Sequence, residues 1–268
     1  MKRILALALA LCLAAVLLAV CAGGSGSSPA SNGKLLKVGV RKNLACFSSY
    51  SEEADDYYGF EDDLAEAVAR EMGYSGAELV GLNPEDRESA LESGEVDCLI
   101  AAFSYTEERA EKFDLTAPYY RDAGRILIEC STLFEDLRDL KGAAVAVREG
   151  TTARENLSAR LQEEGLIRSD AELERFLKIV EFASYEEMEA ALETGEVDAL
   201  CADGCVTLPW MNEERTYLGE AYSEENYVIA SAKGSALGAK LSSALSAVEE
   251  KGTLTELAVK WGVSNEEE

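Results

Sequence analysis

No histidine occurs anywhere among the 268 residues. That absence excludes catalysis through a histidine base and makes a zinc site improbable. The seven cysteines do not compensate, because none lies in a C-x-x-C pair. Cys12 and Cys21 fall in the N-terminal stretch. Cys46, Cys98, Cys130, Cys201 and Cys205 remain, an odd set for a disulfide framework. Cys201 and Cys205 are near enough in sequence to pair, but spacing is a poor guide to geometry. Burial as small apolar side chains is the expected fate of most. Basic residues are also scarce, 25 against 51 acidic ones, for a net charge of −26. Nucleic acid and anionic membrane surfaces are therefore poor partners. The acidic residues are spread along helices and read as a solvated surface.

What is present begins with a leader. Lys2 and Arg3 precede an apolar run from Ile4 to Val20, and no basic stop-transfer cluster follows. Residues 1–20 therefore read as an export signal. Leu18-Ala19-Val20-Cys21 resembles the lipobox of bacterial lipoproteins, in which the Cys carries the lipid. Val20 departs from that motif, and a cut after Ala22 would discard Cys21 altogether. Residues 21–34 are rich in Gly and Ser, a flexible tether with a reach of roughly 20 Å.

The octapeptide A-L-E-S-G-E-V-D at Ala90–Asp97 returns as A-L-E-T-G-E-V-D at Ala191–Asp198. One repeat at this separation fits two similar lobes. Each copy reads as a helix end, a glycine stop at Gly94 or Gly195, and a buried strand. Ligands of open α/β sheets collect beyond the carboxyl ends of such strands. Ala102–Thr106 and Asp203 are thus the first residues to inspect.

Strands alternate with helices along the chain and predict α/β lobes with parallel sheets. Expected strands are Leu36–Val40, Ala77–Val80, Cys98–Ala102, Arg125–Ile128, Ala143–Val147, Lys178–Glu181, Val197–Ala202 and Tyr227–Ser231. Expected helices are Glu61–Met72, Glu85–Glu92, Thr151–Glu163, Ser235–Glu250 and one from Thr253 to Trp261. Thr106 is placed as an N-cap, and Ser184-x-x-Glu187 and Thr253-x-x-Glu256 as capping boxes. Pro118 reads as a break.

Several segments, in this order and spacing, resemble the bacterial extracellular solute-binding proteins of family 3, which serve amino-acid ABC transporters. They are Gly59–Leu64, Gly94–Asp97 through Ser104–Arg109, Pro118-Tyr119-Tyr120, Asp139–Gly142, Val145–Thr152, Gly195–Asp203, and Lys251–Leu254 with Lys260-Trp261. The resemblance implies a type II periplasmic-binding-protein fold, two parallel-rich sheets joined by two hinge strands. Lobe 1 would be residues 35–119 and 227–268, with lobe 2 and the hinge segments in 120–226.

The resemblance makes Arg109 the anchor of a ligand α-carboxylate, a role its bidentate guanidinium suits. Thr151 and Thr152, at a helix start, would bind the same carboxylate from lobe 2. Asp203 would bind the ammonium, helped by the Ala102 carbonyl and the Ser104 hydroxyl. Taken alone, Thr106-x-x-Arg109 is a solvated ion pair, Thr151-Thr152 a helix cap and Asp203 an N-cap. Two family positions that usually carry aromatics fall near Leu44 and Pro84, with Phe47 a nearby substitute. Arg41 resembles the V-G-x-R opening of the aspartate/glutamate-binding branch, and Arg87 a position where that branch carries Arg. Arg148, just before the Thr151-Thr152 turn, would add a third cation from lobe 2. An acidic amino acid is therefore the expected ligand, with glutamine, cystine or another polar amino acid as the alternative.

The expectation is thus a monomeric, lipid-anchored, extracytoplasmic binding component of an ABC importer. It would take a free amino acid, dock on a permease, and need no cofactor or metal. A stand-alone sensor partner is an alternative. A dehydratase-like enzyme of the same fold is another, but no general acid or base stands out for it.

Overall fold

The computed structural model describes residues 33–263. The leader, Cys21 and its proposed lipid therefore lie outside the described residues. No helix among the described residues is long and apolar enough to cross a membrane.

Strand β1 (Leu35–Arg41) buries Leu36, Val38 and Val40 and lies parallel to both β5 (Gly76–Leu82) and β6 (Cys98–Leu99). In the other lobe β8 (Ala144–Arg148) lies parallel to β9 (Lys178–Phe182) and β10 (Ala199–Asp203). The repeated octapeptide starts the equivalent strand in each lobe. Gly94 and Gly195 take left-handed φ values of 74° and 72°. Asp97 then accepts from the Lys37 amide at 3.0 Å and Asp198 from the Ala144 amide at 2.8 Å. The same carboxylate twice clips a new strand to the start of its neighbour, which fixes register.

Between the parallel portions run β7 (Phe113–Glu129) and β12 (Ser223–Ala232), paired antiparallel. The path is β5-β1-β6-β12-β7-β10-β8-β9, with β11 (Arg215–Tyr217) beside β7. The two parallel-rich portions are thus joined by the two long strands β7 and β12, as expected, along one hydrogen-bonded path. Pro118, expected to break the chain, sits inside β7 opposite Val228, where the register shifts. A bulge tolerates the missing proline N–H, so the strand continues.

Sequence periodicity also missed a small sheet of β2 (Asn43–Leu44), β3 (Ser48–Ser51) and β4 (Asp56–Tyr58). Its strands are short and carry polar residues in place of apolar alternation. Strand β6 is only two residues long where five were expected. The helix Phe60–Glu71 buries Phe60, Leu64 and Val68 and packs against the helices Ala236–Glu250 and Thr253–Trp261. Thr106 caps its helix through the Arg109 amide, and Ser184 caps through the Glu187 amide. Thr253 does not cap; Gly252 holds that position at φ 76°. All five cysteines among the described residues are free, including Cys201 and Cys205. Cys98 and Cys201 are core residues, whereas Cys46 and Cys130 are exposed, against the expectation for most.

Candidate functional site

Chain direction brings the ends of β1, β6 and β10 to one crevice, beside the hinge pair β7 and β12. Ser104 follows β6 and is buried. It forms a bridge with Tyr227 of β12, and the Tyr227 hydroxyl donates to the Asp203 carboxylate at the end of β10. One tyrosine thus links the expected lobe 1 loop to the expected lobe 2 acid.

Arg109 is held rigidly. Its Nε donates to Glu88 at 3.1 Å, its Nη1 to the Ser104 carbonyl at 2.8 Å, and its guanidinium lies 4.0 Å from the Phe103 ring centroid. These contacts leave Nη2 without a hydrogen bond among the described residues, as they do the Ser104 hydroxyl. Phe103 falls in the Ala102–Thr106 stretch that the sequence singled out; Glu88 was not foreseen, because the helix pattern alone gives no sign that it faces Arg109.

Asp203 sits at an N-cap position, yet its side chain makes no capping bond. Burial pushes its carboxyl up to about 8, and the charges of Glu225 and Asp122 push the same way. The Tyr227 hydroxyl and Arg41 oppose them. A cation arriving beside Asp203 would favour its ionised form.

Arg41 is buried, with its Nε unpartnered and its guanidinium 5.7 Å from the Tyr185 ring centroid. Tyr185 opens the helix Tyr185–Glu193 and was not foreseen. Glu61, also buried, accepts from the Ala102 amide and the Tyr119 hydroxyl. Burial raises its carboxyl above the ordinary range.

The remaining expected residues are engaged elsewhere. Arg87 donates to the carbonyls of Pro84, Ala101 and Ala102, and across the crevice to Gly150 at 3.0 Å. The Ala102 carbonyl, expected to face an ammonium, thus already accepts from Arg87 at 2.6 Å. Arg148 donates to the Glu149 and Phe182 carbonyls and pairs with Glu85 at 3.1 Å. The Thr151 hydroxyl turns back to the Arg148 carbonyl at 2.7 Å. That of Thr152 donates to Glu225 at 3.3 Å, a buried carboxylate also held by Asn156 and Ser223. Phe47 packs edge-on against Phe60, Tyr120 and Tyr227, which satisfies it as core. It also borders a cavity of about 310 Å³ that none of Arg41, Arg109, Thr152 or Asp203 lines.

A two-lobed α/β protein with a charged crevice at its strand ends is the architecture of an extracytoplasmic solute receptor. The chain belongs to the bacterial extracellular solute-binding proteins, family 3, whose model matches residues 36–264. It is 26% identical over 280 residues to the ABC transporter glutamine-binding protein GlnH of Bacillus subtilis (strain 168), covering 97% of each chain. It is 28% identical to the arginine-binding extracellular protein ArtP of the same organism, covering 97% of this chain and 98% of that one. Among solved structures, an ancestral arginine-binding protein bound to arginine superposes with a TM-score of 0.72. That likeness has 29% identity and covers 85% of this chain and 97% of the other. The relatives are amino-acid-binding proteins of ABC transporters.

Proposed function

We propose that this chain is the receptor of an amino-acid ABC importer, closing on one zwitterion between its lobes. The Arg109 Nη2 and Ser104 hydroxyl take the α-carboxylate, joined by the Thr152 amide at the start of the helix Ala153–Glu163, since the Thr151 amide already donates to the Arg148 carbonyl. Asp203 takes the α-ammonium. The Tyr227 link between Ser104 and Asp203 carries this reading, because it sets an anion site and a cation site on either side of one residue. Residues 35–119 and 227–263 form the first lobe and 120–226 the second, with the β7–β12 pair as hinge. A diacylated Cys21 would tether the receptor to the cell membrane. The protein acts as a monomer and is not an enzyme.

Of the three arginines expected to favour an acidic ligand, Arg87 and Arg148 are already satisfied by protein groups. Arg41 alone keeps an unpartnered buried donor. A side chain ending in an oxygen acceptor, such as glutamate, aspartate or glutamine, completes it, and a cationic side chain would meet it with like charge. Named relatives take glutamine or arginine, so the discrimination is testable. In a thermal-shift panel the acceptor-bearing amino acids should stabilise most, by RT ln(1 + [L]/Kd). Arginine giving the largest shift would overturn the role of Arg41 and leave the clamp standing.

A further inference from the structure

Arg87 and Arg148, the two basic residues that the crevice does not leave free, make their unexpected contacts in one place. Arg148 stands at the end of β8 in lobe 2, and its partner Glu85 stands after β5 in lobe 1. Arg87, two residues beyond Glu85, reaches back to the Gly150 carbonyl of the turn after β8. Gly150 takes φ 71°, and a Cβ there would lie 2.4 Å from the Glu85 amide nitrogen. The two backbones are therefore in direct apposition. A third bond also runs between the lobes, from the Asn43 side-chain amide to Glu186 at 2.7 Å. Each contact joins one lobe to the other and none requires a ligand.

We propose that Glu85, Arg87 and Arg148 are positioning residues for closure, forming a ligand-independent latch that sets the open–closed equilibrium and hence the residence time of the amino acid. The chemistry supports division of labour. Arg87 is almost wholly buried, and four of its five guanidinium N–H groups donate to carbonyls, three of them in lobe 1. It is thus fixed in lobe 1 and offers one remaining edge to Gly150. Arg148 is likewise anchored in lobe 2 by two carbonyls and offers Nη2 to Glu85. Glu85, whose side chain is 37% exposed, is the member best able to lose its partner to water as the lobes part. A receptor whose competent state is partly populated in advance binds with an apparent affinity scaled by that population.

The latch belongs to the same closing motion as the proposed receptor, so its test is arranged to read it separately. Glu85→Gln and Arg148→Gln are compared with wild type by small-angle scattering without any amino acid. Each variant should have a larger radius of gyration than wild type. With the best-binding amino acid, each should dissociate about fivefold to tenfold faster at an unchanged association rate. The double variant should dissociate no faster than Arg148→Gln alone, since both singles break the same bond between the lobes. Unchanged radius and unchanged dissociation in both single variants would overturn the latch, and so would a lower melting temperature with dissociation unaltered. If no amino acid binds wild type, the receptor reading fails, while the ligand-free scattering still decides the latch.

Discussion

Asp62 shows what one carboxylate can cost in this fold. It is buried at the first turn of the helix Phe60–Glu71, where the Ser48 hydroxyl is its hydrogen-bond partner and Oδ2 has none. Burial pushes its carboxyl up to about 8, and Glu61 and Asp63 add to the shift. An unfolded aspartate titrates near 3.9. The folded chain therefore binds this proton more tightly, and stability falls as pH rises from about 4 to about 8. Asp62→Asn should melt higher than wild type at pH 8, with the gain shrinking toward pH 5. A variant less stable than wild type at both pH values would contradict this. At this scale the sequence is informative where a motif fixes neighbours on the same element, as with Thr106 and Arg109. It is silent where the partner is a distant backbone carbonyl. Nothing in Arg87 or Arg148 as letters distinguishes a guanidinium aimed at ligand from one aimed at Ala101, Ala102 or Phe182.

Elements were legible in proportion to their apolar pattern. The parallel strands β1, β5, β8, β9 and β10 were each recognised, with ends shifted by up to two residues. The polar strands β2 to β4 were not, and β7 outran its apolar segment because its pairing with β12 sustains it. Pro118 misled for the same reason: a bulge in the partner decides whether proline breaks a strand, and no single segment reveals its partner. Glu225 on β12 was missed entirely. Its carboxylate accepts from Asn156 at 2.7 Å and from Thr152 and Ser223, tying the hinge strand to the start of the helix Ala153–Glu163. Glu225→Ala would leave buried polar partners unsatisfied, a loss of about 1–3 kcal/mol. Urea unfolding should show a lower midpoint with an unchanged slope; an unchanged midpoint would mean that water replaces the carboxylate without cost.

Over the whole molecule the repeat and the alternation of elements predicted two α/β lobes, and the match to the family agrees. The two joining strands were expected from the resemblance to the family, but their residue-by-residue pairing was not legible, because β7 and β12 lie about a hundred residues apart. The same limit applies to the crevice. Its proposed anchors stand out because each follows a copy of the repeat, Asp203 at the end of β10 and Arg109 on the short helix after β6. The groups that act on them, Tyr227, Glu225 and Asp122 on Asp203 and Glu88 on Arg109, enter only through tertiary packing. On the proposed clamp the lobes differ in what they demand of a ligand: lobe 1 would offer a fixed cation, and lobe 2 an acid whose charge burial suppresses until a cation arrives.

The central claim is that Arg109 and Asp203 clamp one amino acid. Titration calorimetry of wild type, Arg109→Lys and Asp203→Asn against the best-binding amino acid tests it most directly. Removing one partner of a buried charge pair costs about 2–5 kcal/mol, so each variant should bind on the order of a hundredfold or more weakly than wild type. Both variants binding with the affinity of wild type would contradict the account.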